Sequence, residues 1–185
     1  GLDGFLSLGP DRGRLFIEPG PLTLGFPELF TGHWSFERFT GDVRWQRKPD
    51  GFWVGSDGFH AGYGEQTRFS GGFGLRLRPD DEDMLSVRVG VEQGNTDMLA
   101  DFVPRHAVPE GLYEFLSEQV GPGTLDRGWY YGSGAIGEEV AHPSFTSSMF
   151  YEFSDTTLDY HEDWPELTSA SGRVRVQNAD AAIHL

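Results

Sequence analysis

The chain of 185 residues contains no cysteine and almost no lysine, since Lys48 is the only one. Disulfide bonds, thiolate metal sites and cysteine nucleophiles are therefore excluded, and stability must come from packing. Uninterrupted apolar runs are also short, because none approaches the ~20 residues that a membrane-spanning helix needs. No charged and then apolar leader opens the sequence, so no transmembrane segment is expected.

Carboxylates dominate the charge of the chain. The sequence has 29 Asp and Glu residues against 14 Lys and Arg residues, which gives a net charge of −15. Direct binding of nucleic acid is disfavoured, because phosphates must be met by clustered basic residues and here these are scattered. Attraction to an anionic membrane is disfavoured for the same reason. Such an acidic surface suits concentrated salt or neutralisation by ions and partners, so we expect bound cations.

Alternation of apolar and polar residues predicts β-strands along much of the chain. Residues 73–77 and 85–91 alternate in this way on either side of a run of turn formers, which predicts a hairpin over 72–92. Residues 145–153 and 173–177 alternate as well. The 26 glycines and 11 prolines fall at short intervals, so we expect eight or more short strands.

One segment predicts a helix, over residues 109–120. Pro109 suits a first helical turn, and Leu112, Leu116 and Val120 follow at a spacing that places them on one face. A Gly-Pro pair then ends the helical pattern. We expect this helix to cover an open end of the sheet.

These elements predict an all-β fold, because many strands occur with one short helix near 109–120 and without alternating helices. We expect an antiparallel β-sandwich or jelly roll, with a lipocalin-like β-barrel as the alternative. The chain shows no linker or change of composition that would divide it. Residues 1–185 are therefore expected to form a single β domain.

Four consecutive acids are weak candidates for a metal site. Asp80, Asp81, Glu82 and Asp83 offer the carboxylate oxygens that hard cations such as calcium prefer. They lack the ligand spacing and the glycine of a helix-loop-helix calcium site, so a solvated turn is the favoured interpretation. No metal site is assigned, and no catalytic residue, cofactor-binding residue or cofactor is assigned elsewhere.

Two further segments contain motif-like residues. Residues 132–137 have the glycine spacing of a dinucleotide-binding turn, but Pro143 leaves too little room for the helix that would hold a pyrophosphate. A flexible loop is therefore expected there. Residues 159–163 place His161 among three acids, which would favour the charged imidazole, and an exposed connection is expected. The sequence does not predict an enzyme.

Aromatic residues are abundant, with 15 Phe, 6 Tyr and 5 Trp, and many of them fall within residues 33–63. Core packing accounts best for most of these rings. Two alternatives stay open. One is a lipocalin-like enzyme or ligand carrier whose pocket is lined by this segment, and the other is a carbohydrate-binding sandwich with exposed aromatics.

In size, strand count and acid-rich surface, the whole chain resembles the small single-jelly-roll major capsid proteins of icosahedral viruses that infect halophilic archaea. The resemblance implies a structural protein of the virion that assembles a shell in high salt. It also implies partners, namely further copies of the chain and other capsid proteins. Without this resemblance, a soluble cytoplasmic or secreted protein is expected. We favour the capsid interpretation because it accounts for the acidity, the strands and the missing catalytic motifs together.

Overall fold

The structure is a computed structural model. A single sheet of ten antiparallel strands makes up most of it, and each strand pairs with the next one along the chain. The structure describes residues 3–25, 32–102, 110–136, 144–159, 163, 165–178 and 180–185. The strands are β1 (Gly4–Leu8), β2 (Arg12–Gly25), β3 (His33–Lys48), β4 (Gly51–Tyr63), β5 (Thr67–Leu77), β6 (Asp83–Asn95), β7 (Thr124–Ile136), β8 (Thr146–Leu158), β9 (Leu167–Gln177) and β10 (Asp180–His184).

The strand order confirms the all-β antiparallel prediction and corrects its finer part. A sandwich or jelly roll requires connections that cross between two sheets, whereas the described strands follow one another in a single sheet without a crossover. β1 and β10 form its two edges and do not pair with each other, so the described sheet is not a closed barrel. The hairpin predicted over 72–92 is confirmed and consists of β5 and β6.

Eight of the strands are long, at 11 to 16 residues, although the frequent glycines predicted short ones. Many glycines lie inside strands because an aromatic ring needs their space. A Cβ on Gly13 would overlap the Trp45 ring, and one on Gly128 would overlap Tyr151. At these two positions, glycine leaves room for an aromatic ring of the neighbouring strand, and the strand continues through it.

The same correction applies to the glycine-rich segment 132–137. Residues 132–136 belong to β7 and pair with β6 and β8, so they do not form the flexible loop that was expected. Gly137 lies outside the described residues. Gly134 has a φ of +152°, and a Cβ there would overlap the backbone around Phe145. Close approach of the chain explains this glycine without any bound phosphate.

A helical insertion connects β6 to β7. It consists of a 3-10 turn (Thr96–Met98), α1 (Leu99–Phe102), and α2 (Glu110–Glu114), which continues into a π-helical turn (Phe115–Gln119). The helix predicted over 109–120 is thus confirmed within the described residues, which begin at Glu110. None of the helices in the described residues is long and apolar enough to cross a bilayer.

The helical insertion lies between distant strands. The Trp34 indole N–H on β3 donates to the Asp101 carbonyl at 3.1 Å, while Val120 forms a β-bridge with Leu158 on β8. In a flat sheet, five strand spacings of about 4.8 Å would separate β3 from β8 by about 24 Å. Strongly twisted open sheets of about ten strands usually curl, and one short insertion reaches both β3 and β8, so we infer that the sheet curves around the insertion.

Strand pairing divides the side chains between a concave inner face and a convex outer face. The insertion covers the inner face at the end of the sheet where β6 finishes and β7 begins, and the buried core lies there. The buried apolar residues of this core are Phe36, Phe39, Ala61, Phe69, Val91, Met98, Leu99, Leu116, Leu125, Met149, Phe153, Leu158, Val174 and Val176. This placement confirms the expectation that the helix covers one end of the sheet.

Candidate functional site

The inner face continues beyond the core as an open apolar surface, which we call the trough. Residues of the trough share a face with the core because the pairing of β5 with β6 is regular from Phe69 and Val91 to Leu75 and Leu85. The trough consists of Leu15, Val43, Trp45, Phe52, Val54, Phe73, Leu75, Leu77, Leu85 and Val87. Most of these side chains are half-buried, and Leu77 is 38% exposed.

Polar groups on the trough face are few: Ser56 lies within the trough, and Arg47, opposite Phe52, lies at its open end. Ser56 shares the inner face with Phe73, and its hydroxyl donates to the Gly58 carbonyl at 3.1 Å. Among the described residues, no buried side-chain nitrogen or oxygen lacks a hydrogen-bond partner. A ligand in the trough therefore finds few groups to bond and mainly apolar surface to cover. This lining suits hydrocarbon, because a buried polar ligand group without a partner would cost free energy.

The insertion closes the trough at its core end with aromatic rings. Phe102 of α1 stacks on Trp34 with ring centroids 4.8 Å apart, and it packs against Phe69 at 4.7 Å. It also meets Tyr63 edge-on at 5.1 Å. Edge-to-face and stacked rings of this kind are packed at the density of a protein interior. The trough is consequently blind at the insertion and open towards the opposite end of the strands.

Two tyrosines in the wall beside the trough stay uncharged. Tyr130 and Tyr151 share the inner face of β7 and β8. Burial raises the pKa of the Tyr151 hydroxyl to about 12 and also raises that of Tyr130. The Tyr151 hydroxyl contacts the Met149 sulfur at 3.4 Å. Because neither phenol ionises near neutral pH, this part of the wall introduces no charge.

The outer face carries paired charges. Asp42 accepts two hydrogen bonds from Arg14 at 2.7 and 2.9 Å and two from Arg44 at 2.6 and 3.0 Å. The hydrogen bonds from Arg14, followed by those from Arg44, hold the pKa of this carboxyl below its usual range. On β7 and β8, Arg127 similarly lowers the pKa of Glu152. The sheet is therefore amphipathic across its thickness, with a charged convex face and an apolar concave one.

The four acids predicted as weak metal candidates occupy the turn between β5 and β6. The Asp83 carboxylate accepts from the Arg78 backbone N–H at 2.9 Å, and the Arg78 guanidinium pairs with Asp81. The Glu82 backbone N–H donates to Asp81 at 2.8 Å. These bonds show that the acids stabilise the turn itself, in which Asp80 also lies. In the described part of the chain, no group of three acids or histidines is arranged for a metal, and cation binding stays a prediction.

Of the segment around His161, residues 160–162 lie outside the described residues.

The aromatic residues of segment 33–63 are divided between the core, the trough and the outer face. Phe36 belongs to the core, Trp45 and Phe52 line the trough, and Trp53 lies on the outer face. The alternative of a lipocalin-like pocket lined by this segment is not confirmed, because the described sheet is not a closed barrel and only part of the segment faces the trough. Alternation revealed that Leu75 and Val87 face one side, but no local signal showed that this side is left uncovered.

Comparison with known proteins corrects the capsid interpretation. A family model described as YhdP protein matches residues 1–185, which is the whole chain. No curated protein and no solved structure matches the chain. The resemblance to capsid proteins of halophilic viruses is therefore wrong, and so are the shell-forming function and the virion location that it implied. Association with further copies of the chain or with other proteins stays a prediction. Size, strand count and acidity are shared by too many unrelated proteins to identify one. The chain belongs to the YhdP protein family.

Proposed function

We propose that this chain holds the hydrocarbon chain of a cell-envelope lipid along its trough. The observation that carries the proposal is the continuation of the apolar inner face beyond the core, where Trp45, Phe73 and Leu75 are only half-buried. The YhdP family is associated with the bacterial cell envelope, where such ligands are abundant.

Energetics favour an alkyl ligand in this position. Each methylene group transferred from water to apolar surroundings contributes about 0.8 kcal/mol of binding free energy. An acyl chain covered on one side is therefore still stabilised by several kcal/mol. The trough side chains gain as well, because the ligand removes their exposed area from water. A polar ligand would gain little, since Ser56 is already hydrogen-bonded.

The blind end gives the ligand a direction. Phe102 packs against Trp34 and Phe69 and blocks the inner face at the insertion. The terminal methyl group of an acyl chain therefore fits towards the insertion, and the polar head group remains at the open end. This orientation keeps the charged part of a lipid in water, where its desolvation cost is avoided.

Replacement of Leu75 tests the proposal directly. Leu75 faces the trough, while its neighbour Arg76 is exposed on the outer face of the same strand. We expect Leu75→Gln to weaken the binding of a fluorescent polyene fatty acid about tenfold, because a buried amide without a partner costs ~1–3 kcal/mol. Binding is measured by fluorescence titration and by displacement with an unlabelled long-chain fatty acid.

Arg76→Gln is the matched control, since it places the same side chain on the opposite face. Its affinity for the fatty acid should equal that of the unmodified chain. Thermal melting of both variants separates loss of binding from loss of folding. The proposal is wrong if the unmodified chain does not bind the fatty acid, or if Arg76→Gln weakens binding as much as Leu75→Gln.

A further inference from the structure

A second surface lies on the outer face of β7, β8 and β9, opposite to the trough. Strand pairing places Trp129, Phe150 and Arg175 side by side in one row across the three strands. The neighbouring row contains Arg127 and Arg173, which flank Glu152. We call this surface the arginine-aromatic patch and define it as Arg127, Trp129, Tyr131, Phe150, Arg173 and Arg175.

The rings of the patch are unusually open to solvent for their size. Trp129 is 47% exposed and Tyr131 is 51% exposed. The Trp129 and Phe150 ring centroids are 5.2 Å apart, and the rings tilt by 41°. Together with Arg127 and Arg175 they line a shallow depression of about 530 Å³. Two large aromatic side chains thus line a depression without being covered by described residues of their own chain.

The charge of the patch opposes that of the whole chain. In these rows, three arginines against Glu152 leave a net charge of +2 on β7, β8 and β9, and Arg88 and Glu92 of the adjoining β6 cancel each other, whereas the chain carries −15. Arg127 pairs with Glu152, and its guanidinium carbon lies 5.4 Å from the Trp129 ring centroid. Arg175 makes no ion pair among the described residues. Its charge is therefore available to a bound acid, and it lies next to exposed rings.

We propose that the arginine-aromatic patch binds an acidic segment of a partner protein that inserts an apolar side chain beside Trp129. Trp, Tyr and Arg are the residues that contribute most binding energy at protein interfaces, especially where they surround a central depression. A positive patch on an acidic protein favours acidic partners by charge complementarity and speeds their encounter. The patch faces away from the trough, so partner and lipid can bind at the same time.

Two short synthetic peptides test the proposal against the purified full chain. In the first peptide Glu alternates with Phe, and in the second every Glu is replaced by Gln. We expect the acidic peptide to bind at least about tenfold more tightly, because charge-assisted hydrogen bonds to arginine contribute ~1.5–3 kcal/mol. Titration calorimetry at physiological ionic strength, where distant charges are screened within ~8 Å, gives the affinities.

Substitutions locate the binding. Trp129→Ala and Arg175→Ala should each weaken binding of the acidic peptide about tenfold, as expected for residues at the centre of an interface. Phe5→Ala removes an exposed ring of β1, and Arg12→Ala removes an exposed arginine of β2, so these controls should bind normally. Circular dichroism of each variant checks that the sheet is retained.

Several results would overturn this proposal. Equal affinity for the two peptides would show that charge plays no role, and equal losses in the Phe5 and Arg12 controls would show that binding does not occur at the patch. Stronger binding of anionic phospholipid vesicles than of the acidic peptide would assign the surface to a membrane. Concentration-dependent dimerisation that Trp129→Ala abolishes, without peptide binding, would assign it to a second copy of this chain. None of these results depends on lipid binding in the trough.

Discussion

Asp42 shows how a single residue can stabilise two strands. Arg14 and Arg44 stand directly opposite each other on β2 and β3, and like charges at such positions destabilise a sheet. The Asp42 carboxylate bonds to both guanidinium groups and is only 16% exposed, so it converts a repulsive pair into an attractive group of three. We infer that this carboxylate fixes the register of β2 against β3 at this end of the sheet.

We predict that Asp42→Asn lowers the free energy of unfolding by about 1 kcal/mol at neutral pH, since paired surface charges contribute about that amount. The pKa of Asp42 is lowered in the folded chain. Its stabilising contribution is therefore complete above the unfolded pKa of about 3.9 and is lost as the pH falls through the lower folded value. Urea unfolding at neutral and acidic pH measures this loss.

The difference between Asp42→Asn and the unmodified chain should therefore shrink on acidification. Asp50→Asn, in the exposed turn between β3 and β4, should show no such difference at either pH. A difference for Asp42→Asn that stays constant down to the most acidic point would show that the hydrogen bonds to Arg14 and Arg44 do not stabilise the fold.

At the scale of elements, the insertion is held where it enters and leaves the sheet. Thr96, at its start, and Thr156, on β8, both donate their hydroxyl hydrogen to the Gly121 carbonyl, at 2.7 and 2.8 Å. Both threonines are buried, with 1% of Thr96 and 0% of Thr156 exposed. The backbone N–H of Thr96 also donates to the Gly123 carbonyl at 3.1 Å. One carbonyl therefore joins the insertion to a strand that is distant in the sequence.

We predict that Thr96→Val and Thr156→Val are coupled. Each single substitution leaves the Gly121 carbonyl with the other hydroxyl and should cost about 1 kcal/mol or less. The double variant leaves a buried acceptor with neither, which adds ~1–3 kcal/mol, so its loss should exceed the sum of the single losses. Chemical denaturation of the four proteins gives the coupling energy.

Thr146→Val provides the control, because Thr146 is exposed and its hydroxyl bonds to Ser133 at 3.2 Å on the sheet surface. This substitution should change stability by less than about 0.5 kcal/mol. Strict additivity of the Thr96 and Thr156 substitutions would mean that the shared carbonyl does not couple the insertion to β8.

Sequence patterns predicted the local elements of this molecule but not their arrangement. Alternation at Phe73, Leu75 and Val87 predicted strands and a hairpin, because side-chain direction is fixed within each strand. Whether two halves of a chain form a sandwich or one curved sheet depends on contacts between distant residues. The Gly13–Trp45 contact is one example, since the glycine alone indicates a break.

The candidate sites show the same limit. Alternation placed Phe73 and Leu75 on one side of a strand, but the sequence did not reveal that the insertion covers only one end of that side of the sheet. In the arginine-aromatic patch, Trp129 and Arg175 are far apart in the sequence and meet only through the register of three strands. The capsid interpretation failed because it relied on composition, which describes a surface without locating any site.

At the scale of the whole molecule, the acid excess has a measurable effect on stability. A net charge of −15 repels itself in the folded chain, and the repulsion is weak in the unfolded chain, where charges are further apart. We predict that the melting temperature rises when NaCl increases from ~0.01 M to ~0.15 M, because the screening length falls from ~30 Å to ~8 Å. Differential scanning calorimetry measures this rise.

Two exposed acids supply a control for the effect of salt. Glu65→Gln with Asp80→Asn lowers the negative charge in two turns without touching the core, and it should reduce the rise in melting temperature. An unchanged melting temperature across the salt series would show that the arginines of the outer face already neutralise the repulsion. Self-association, which the sequence also favoured, stays a prediction at this scale.

The sequential order of the ten strands has a consequence for how the chain folds. Each strand in the described part of the chain pairs only with the strands before and after it, so β-ladders form between consecutive strands. Apart from the insertion between β6 and β7, the loops that must close before each ladder forms are short, so we expect faster folding than in sandwiches with long crossovers. A force applied to the two ends would meet the edge strands first and would peel them off one at a time.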